Sequence, residues 1–227
     1  MAMNKIISRT LHTVAGLHIR EAAEGEASRT ITGYAILFNT PSAAMYADET
    51  EEIREVIAPG AVTRELLDSS DIKMTLFHDN HLLLARSKQG SGTLSYGIDD
   101  RGVYFEFEAP HTADGDKALE LVRRGDIAGC SFAFTTYYYN KDYVARSSEK
   151  VDGKTVITYT VNAVTGIYDF TLTPDPAYPD TTCVAELRDL AEAMLSMERE
   201  AEAVEVRKEE KMREQVREMR RAATAAL

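Results

Sequence analysis

Ser131 lies in Gly129-Cys130-Ser131-Phe132-Ala133-Phe134, where a small hydroxyl interrupts a stretch otherwise suited to a buried strand. Such a serine becomes a nucleophile only when a base removes its proton. Histidine does this best near neutral pH. Of the five histidines, His12 and His18 sit near the N-terminus and His111 precedes a helix. His78 and His81 bracket Asp79-Asn80 just after a strand. Strand ends that feed loops are favoured places for rigid catalytic groups, which makes His78 the candidate base. Asp169, in Ile167-Tyr168-Asp169-Phe170-Thr171-Leu172, is a carboxylate among apolar and β-branched residues. Burying it is costly unless it is hydrogen-bonded, and holding an imidazole in one tautomer would supply that bond. Asp79, beside His78, is a second acid that could orient the ring.

Cys130 competes with Ser131, since a thiolate beside a histidine is also a working nucleophile. Neighbouring strand side chains point to opposite faces, so both cannot meet one imidazole, and residue chemistry alone leaves the choice open. His78 and His81 form an i, i+3 pair without a third ligand motif, and Asp114-Gly115-Asp116 lacks the calcium-loop pattern. No metal or cofactor is expected. Cys130 and Cys183 are far apart and show no metal-ligand or redox spacing, which fits packing residues in a reducing compartment.

The elements that must position these groups are mainly strands. Thr30 to Asn39 mixes β-branched and aromatic residues around Gly33, which predicts a strand with a bulge or a close backbone approach. Glu51 to Ile57 alternates acidic and apolar residues. After Pro59-Gly60, the spacing of Val62, Leu66 and Leu67 predicts a short amphipathic helix. Lys73 to Phe77 reads as the strand that delivers His78. Leu94 to Ala109 is written as a hairpin, with Val103, Phe105 and Phe107 on one face and its turn at Asp99 to Gly102. Asp114 and Asp116 ahead of an apolar stripe, then Arg123, Arg124 and Gly125, predict a helix. Gly129 to Tyr139, Thr155 to Val164 and Ile167 to Thr173 read as three further strands, with a polar loop and the turn Asp152-Gly153 between the first two. The turns at Gly125 to Gly129 and at Pro59-Gly60 are where free amides could face an oxyanion.

Past Pro179 the composition shifts to Ala, Glu, Arg, Lys and Met without Gly or Pro, which predicts a long helix. Leu187, Leu190, Met194, Met197, Ala201 and Val204 follow a coiled-coil seam that resumes at Met212, Val216 and Met219. A solvated single helix is the alternative. The expected organisation is a domain over 1–182 and a charged tail over 183–227.

At 227 residues the chain can bury one sizeable core with an appended segment. Its 44% hydrophobic and 28% charged residues suit a soluble protein, and no apolar run approaches a membrane span. Met1 to Leu11 has no secretory pattern. A formal charge of -11 opposes nucleic-acid binding and favours a protein partner or substrate.

Four stretches in order resemble the prohead maturation proteases of tailed bacteriophages. They are Glu55 to Ala61, Phe77-His78-Asp79, Arg124 to Phe134 and Leu172 to Pro179, over roughly Thr30 to Leu187. The most specific features are the His-Asp dipeptide, the Gly-x-Ser-Phe-x-Phe strand and the turn Pro176-Ala177-Tyr178-Pro179. The resemblance implies an α+β, mainly β fold similar to herpesvirus assemblins, a closed β-barrel with peripheral helices, here joined to the long C-terminal helix. It implies a serine endopeptidase that cleaves scaffold or capsid-protein extensions inside the procapsid, in the host bacterial cytoplasm.

By motif, His78 and Ser131 match the family's catalytic pair. The family often has an acid, an apolar residue and Ser where this chain has Asp169-Phe170-Thr171, and assemblins use a second histidine. Asp169 is the expected third member, with His81 and His111 as alternatives. Cys130 stands where Met is more usual. The implied partners are capsid and scaffold proteins as substrates and a helical or self-associating partner of the tail, with neither nucleic acid nor membrane. A non-enzymatic capsid-assembly or scaffolding protein that binds through the tail is the competing function.

Overall fold

The structure is a computed structural model that describes residues 7–13, 17–20, 28–138, 140–174, 207–208 and 212. The chain divides into two units, Met1–Asp180 and Thr181–Leu227, and every element named below belongs to the first. Chain order opens with β1 (Ile7–Thr13), β2 (His18–Ile19), β3 (Thr30–Leu37), β4 (Tyr46–Ala47), β5 (Glu51–Ile57) and α1 (Arg64–Ser69). It continues with β6 (Asp71–Leu76), β7 (Asp79–Lys88), β8 (Ser91–Gly92), β9 (Leu94–Ile98), β10 (Gly102–Glu108) and α2 (Ala113–Arg124). It closes with β11 (Gly129–Thr135), β12 (Val144–Val151), β13 (Lys154–Val161) and β14 (Gly166–Thr173).

Local chemistry sets these boundaries. Thr63 and Thr112 cap α1 and α2, their hydroxyls accepting from the amides of Leu66 and Gly115. Asp114 and Asp116 lie in the first turn of α2, and Arg123 and Arg124 in its last, matching the helix dipole. Gly125 ends the helix at φ 77°, a left-handed position that glycine takes without penalty. In the β9–β10 hairpin, Asp99 Oδ1 accepts from the amides of Arg101 and Gly102 and fixes the turn. Gly33 is a close approach: a Cβ there would lie 2.7 Å from Leu17 and 3.2 Å from Phe105.

Three sheets result. A six-stranded sheet runs β1-β11-β14-β6-β7-β8, and two four-stranded sheets run β2-β3-β10-β9 and β12-β13-β5-β4. Val103, Phe105 and Phe107 of β10 are buried, and the Phe105 ring lies 6.5 Å from that of Phe170 on β14, which joins the first two sheets through a shared core. β11 is buried on both faces, and Phe132 stacks on Phe134 at 5.0 Å.

The expected closed barrel is not formed among the described residues. Closure requires a continuous ladder with a fixed stagger around the ring. Here each sheet runs between two different edge strands, and a single parallel bridge, Phe38 to Ile57, links the second sheet to the third. Three of the terminal strands, β2, β4 and β8, are two residues long and too short to carry the ladder onward.

The fold expectation is corrected at the tail as well, because no long C-terminal helix is seen among the described residues. Of residues 183–227 only Arg207, Lys208 and Met212 are described, and they are helical and exposed. The rest of the proposed seam, Cys183 and the turn Pro176 to Pro179 lie outside the described residues. Among the described residues no helix is long and apolar enough to cross a membrane. Six strands, β1, β2, β4, β7, β8 and β12, were not expected. β7 follows His78 directly, and β12 forms where a polar loop was predicted, pairing antiparallel with β13 from Val144–Val161 to Val151–Lys154.

Candidate active site

Four neighbouring strands of the six-stranded sheet, β11-β14-β6-β7, bring the candidate residues together. Ser131 on β11 pairs with Thr171 on β14, and Thr171 pairs with Thr75 on β6. Cross-strand partners share a sheet face, so the three hydroxyls form one row, and all three residues are fully buried. Asp169 lies two residues before Thr171 and shares its face. Just before Asp169 the β11–β14 register shifts, leaving Tyr168 as an extra residue between the Ile167 and Asp169 pairs. Bulges of this kind re-aim the side chains beside them.

His78 arrives from the β6–β7 hairpin. Leu76 pairs with Asp79, and the two residues between them, Phe77 and His78, have φ of 58° and 56°. This is the mirror-image turn that suits the twist of a tight hairpin, normally built from Asn or Gly. Two larger residues hold left-handed dihedrals only where their surroundings impose them. Both backbone amides are tied to β14: Phe77 N–H donates to Leu172 O at 3.1 Å, and His78 N–H donates to Thr171 Oγ1 at 2.8 Å. Thr171 in turn donates to Thr75 O at 3.1 Å and accepts from Thr75 Oγ1 at 2.9 Å.

The ring of His78 lies between the serine and the acid. Its Nε2 is 2.9 Å from Ser131 Oγ, and its Nδ1 is 3.0 and 3.2 Å from the two carboxylate oxygens of Asp169. The His78 and Asp169 side chains are 20% and 15% exposed. An ionised carboxylate only accepts, so Nδ1 carries the imidazole proton and Nε2 presents its lone pair to the serine hydroxyl. The arrangement can withdraw a proton from Oγ and hold the resulting imidazolium against a negative charge.

The chain matches the caudovirus prohead serine protease family over residues 16–196. It belongs to that family. No curated protein and no solved structure matches it. As a prohead serine protease it is a serine peptidase of capsid maturation.

In this family member the competing groups sit elsewhere. Cys130 is buried, and burial pushes its thiol well above the usual range, opposite to what a nucleophilic thiolate needs. Cys130→Ser is therefore expected to keep precursor cleavage within about twofold, measured with purified protein, and a loss comparable to that from Ser131→Ala would contradict this. Asp79 accepts from the backbone amide of His81 and from its ring Nδ1, at 2.8 and 3.0 Å, and these bonds hold its carboxyl below the usual range. Its partner His81 has a 95% exposed side chain on β7, and His111 is exposed ahead of α2. The structure does not bring either into the row around Ser131. The amides of Gly125, Ile127 and Ala61, in the turns considered for an oxyanion, are bonded to Val122 O, Leu121 O and Ala58 O. Among the described residues no cluster suited to a metal ion occurs.

Thr171 is the residue that sequence reasoning passed over. Its signal was a hydroxyl two positions from Asp169 on the same strand face. It touches no reacting atom, so it is a positioning residue that holds the backbone of His78. Thr171→Val leaves the His78 amide without its acceptor and is expected to lower kcat about tenfold with little change in KM, whereas Thr171→Ser restores it. Kinetics beside a thermal melt check this, and a Val variant that folds and turns over like the parent would contradict it.

Proposed function

We propose that this peptidase acts through Ser131 as nucleophile, His78 as general base and acid, and Asp169 as the group that orients and stabilises the imidazolium. The observation that carries the proposal is the continuous hydrogen-bond chain from Asp169 through both nitrogens of His78 to Ser131 Oγ. Oγ attacks the scissile carbonyl carbon as Nε2 takes its proton. The tetrahedral intermediate collapses when Nε2 returns that proton to the leaving amine, giving an acyl-enzyme. Water, deprotonated by Nε2, then attacks the ester and releases the acid product with Ser131 restored.

The proposed substrates are scaffold proteins or capsid-protein extensions, cut inside the procapsid in the host cytoplasm, as the family assignment supports. Residues 1–182 are proposed as the peptidase domain and 183–227 as a separate charged tail. The test is co-expression with the same virus's capsid and scaffold proteins, followed by intact-mass analysis of the assembled particles. The wild-type chain is expected to yield shortened capsid or scaffold chains, and His78→Ala full-length ones. Equal shortening by both would overturn the proposal. Full-length chains in particles assembled with the wild type would favour a scaffolding role instead.

A further inference from the structure

The strand that carries Ser131 has two neighbours. On one side β14 supplies Thr171 and Asp169. On the other side β1 runs antiparallel, pairing Ile7 with Phe134, Ser8 with Ala133, Arg9 with Phe132 and then Thr13 with Cys130. Between the last two pairs the register slips, so that Thr10, Leu11 and His12 stand against the single residue Ser131. The ladder is regular for three pairs, opens at the serine and closes one residue beyond it. β1 also ends before residue 16, where the family match begins.

Both facts bear on where a substrate lies. Neighbouring strands run about 4.8 Å apart, so a peptide paired with β11 carries its backbone past Ser131 at that spacing. The β14 side is filled by the residues that complete the site, which leaves the β1 side. Extended peptides join open sheet edges through main-chain hydrogen bonds, a mode that requires an unfolded segment. Without β1, the edge of β11 beside Ser131 would be such an edge. With β1 in place the edge is taken by a strand whose bulge keeps any regularly paired peptide unit away from the serine. Ser131 is fully buried in this state.

The geometry points to the β1-side edge of β11 as the strand-addition site for substrate, with β1 as an exchangeable internal occupant. An extended segment of a capsid or scaffold protein displaces β1 and lays a peptide bond in regular register at Ser131. This inference rests on the role proposed above for Ser131. It adds the form in which substrate is accepted, an extended strand, and the reason the β11 edge is closed to a peptide while β1 is paired.

A reversible lock tests it. Ser8 and Ala133 are register partners, and antiparallel partners have Cα atoms about 4.5 to 5.5 Å apart, within reach of a disulfide. The full chain carrying Ser8→Cys and Ala133→Cys is incubated with the same virus's purified capsid precursor, oxidised or reduced, while a fluorophosphonate reports on Ser131. Cleavage at least tenfold slower when oxidised, recovered on reduction and absent from Ser8→Cys alone, is the expected result. Equal cleavage in both forms, with Ser131 labelled, overturns the inference and leaves the peptidase mechanism standing. Precursor cleavage without labelling of Ser131 overturns the mechanism and the inference together. Should the paired cysteines perturb folding, Ser8→Pro with Arg9→Pro in the full chain removes one β1 ladder donor whichever residue supplies it. That variant is expected to cleave at least threefold faster than the parent, and an unchanged rate overturns the inference.

Discussion

Ser131→Ala is expected to lower precursor cleavage by about 10^4-fold or more, because removing the nucleophile disables the whole relay rather than one part of it. The fold should survive. The substitution removes one buried hydroxyl that bonds His78 Nε2, leaving the neighbouring hydrogen bonds between Thr171 and Thr75 in place. A loss of about 1 kcal/mol corresponds to a melting shift of about 2 to 4 °C in a chain of this size. Cleavage assayed beside a thermal melt separates the two effects. A folded alanine variant that still processes precursor at more than a few per cent of the parent rate would remove Ser131 from the mechanism.

Asp169→Asn is expected to cost about 10^3- to 10^4-fold in kcat at neutral pH, although the side chain keeps its shape. The carboxylate accepts a hydrogen bond from Nδ1–H of His78. An asparagine amide can donate to Nδ1 instead, which moves the imidazole proton to Nε2 and leaves no lone pair for the serine hydroxyl. It also removes the negative charge that balances the imidazolium. The same kinetic series decides among the third-member alternatives. Asp79→Asn, His81→Ala and His111→Ala are each expected to stay within about twofold of the parent, because Asp79 and His81 bond to one another and His111 faces solvent. If Asp169→Asn were equally mild while one of these three were severe, the assignment of the acid would be wrong.

Individual elements explain how far the sequence could be read. Val103, Phe105 and Phe107 alternate with exposed or half-buried neighbours, so the period of a one-sided strand was visible. Thr112, the early acids, Arg123, Arg124 and Gly125 mark both ends of α2 by simple electrostatics and capping. β12 left no such mark. Its residues Ala145 to Val151 are all exposed, and a strand at a sheet edge with no face in the core needs no apolar alternation. The barrel expectation came from the resemblance, and strand content does not say whether a sheet closes. That depends on stagger and on edge lengths such as those of β2, β4 and β8.

At the site, residue types made Ser131, His78 and Asp169 candidates but did not show what brings them together. Two facts were hidden in the sequence. One is that β14 lies between β11 and β6, which places Asp169 beside a histidine 91 residues earlier. The other is that Phe77 and His78 form the turn itself in left-handed backbone, held by Thr171. Neither follows from local pattern, because both depend on which strands become neighbours. The choice between Cys130 and Ser131 was likewise a question of face, and the pairing of Ser131 with Thr171 puts the serine on the face that carries His78 and Asp169.

The most direct test of the proposed mechanism is covalent labelling. The purified chain is treated with a fluorophosphonate and the adduct is mapped by peptide mass. The mechanism predicts one phosphonylated residue, Ser131, with labelling lost in His78→Ala while that variant keeps its fold. An adduct on another residue, or undiminished labelling of Ser131 in folded His78→Ala, would contradict it.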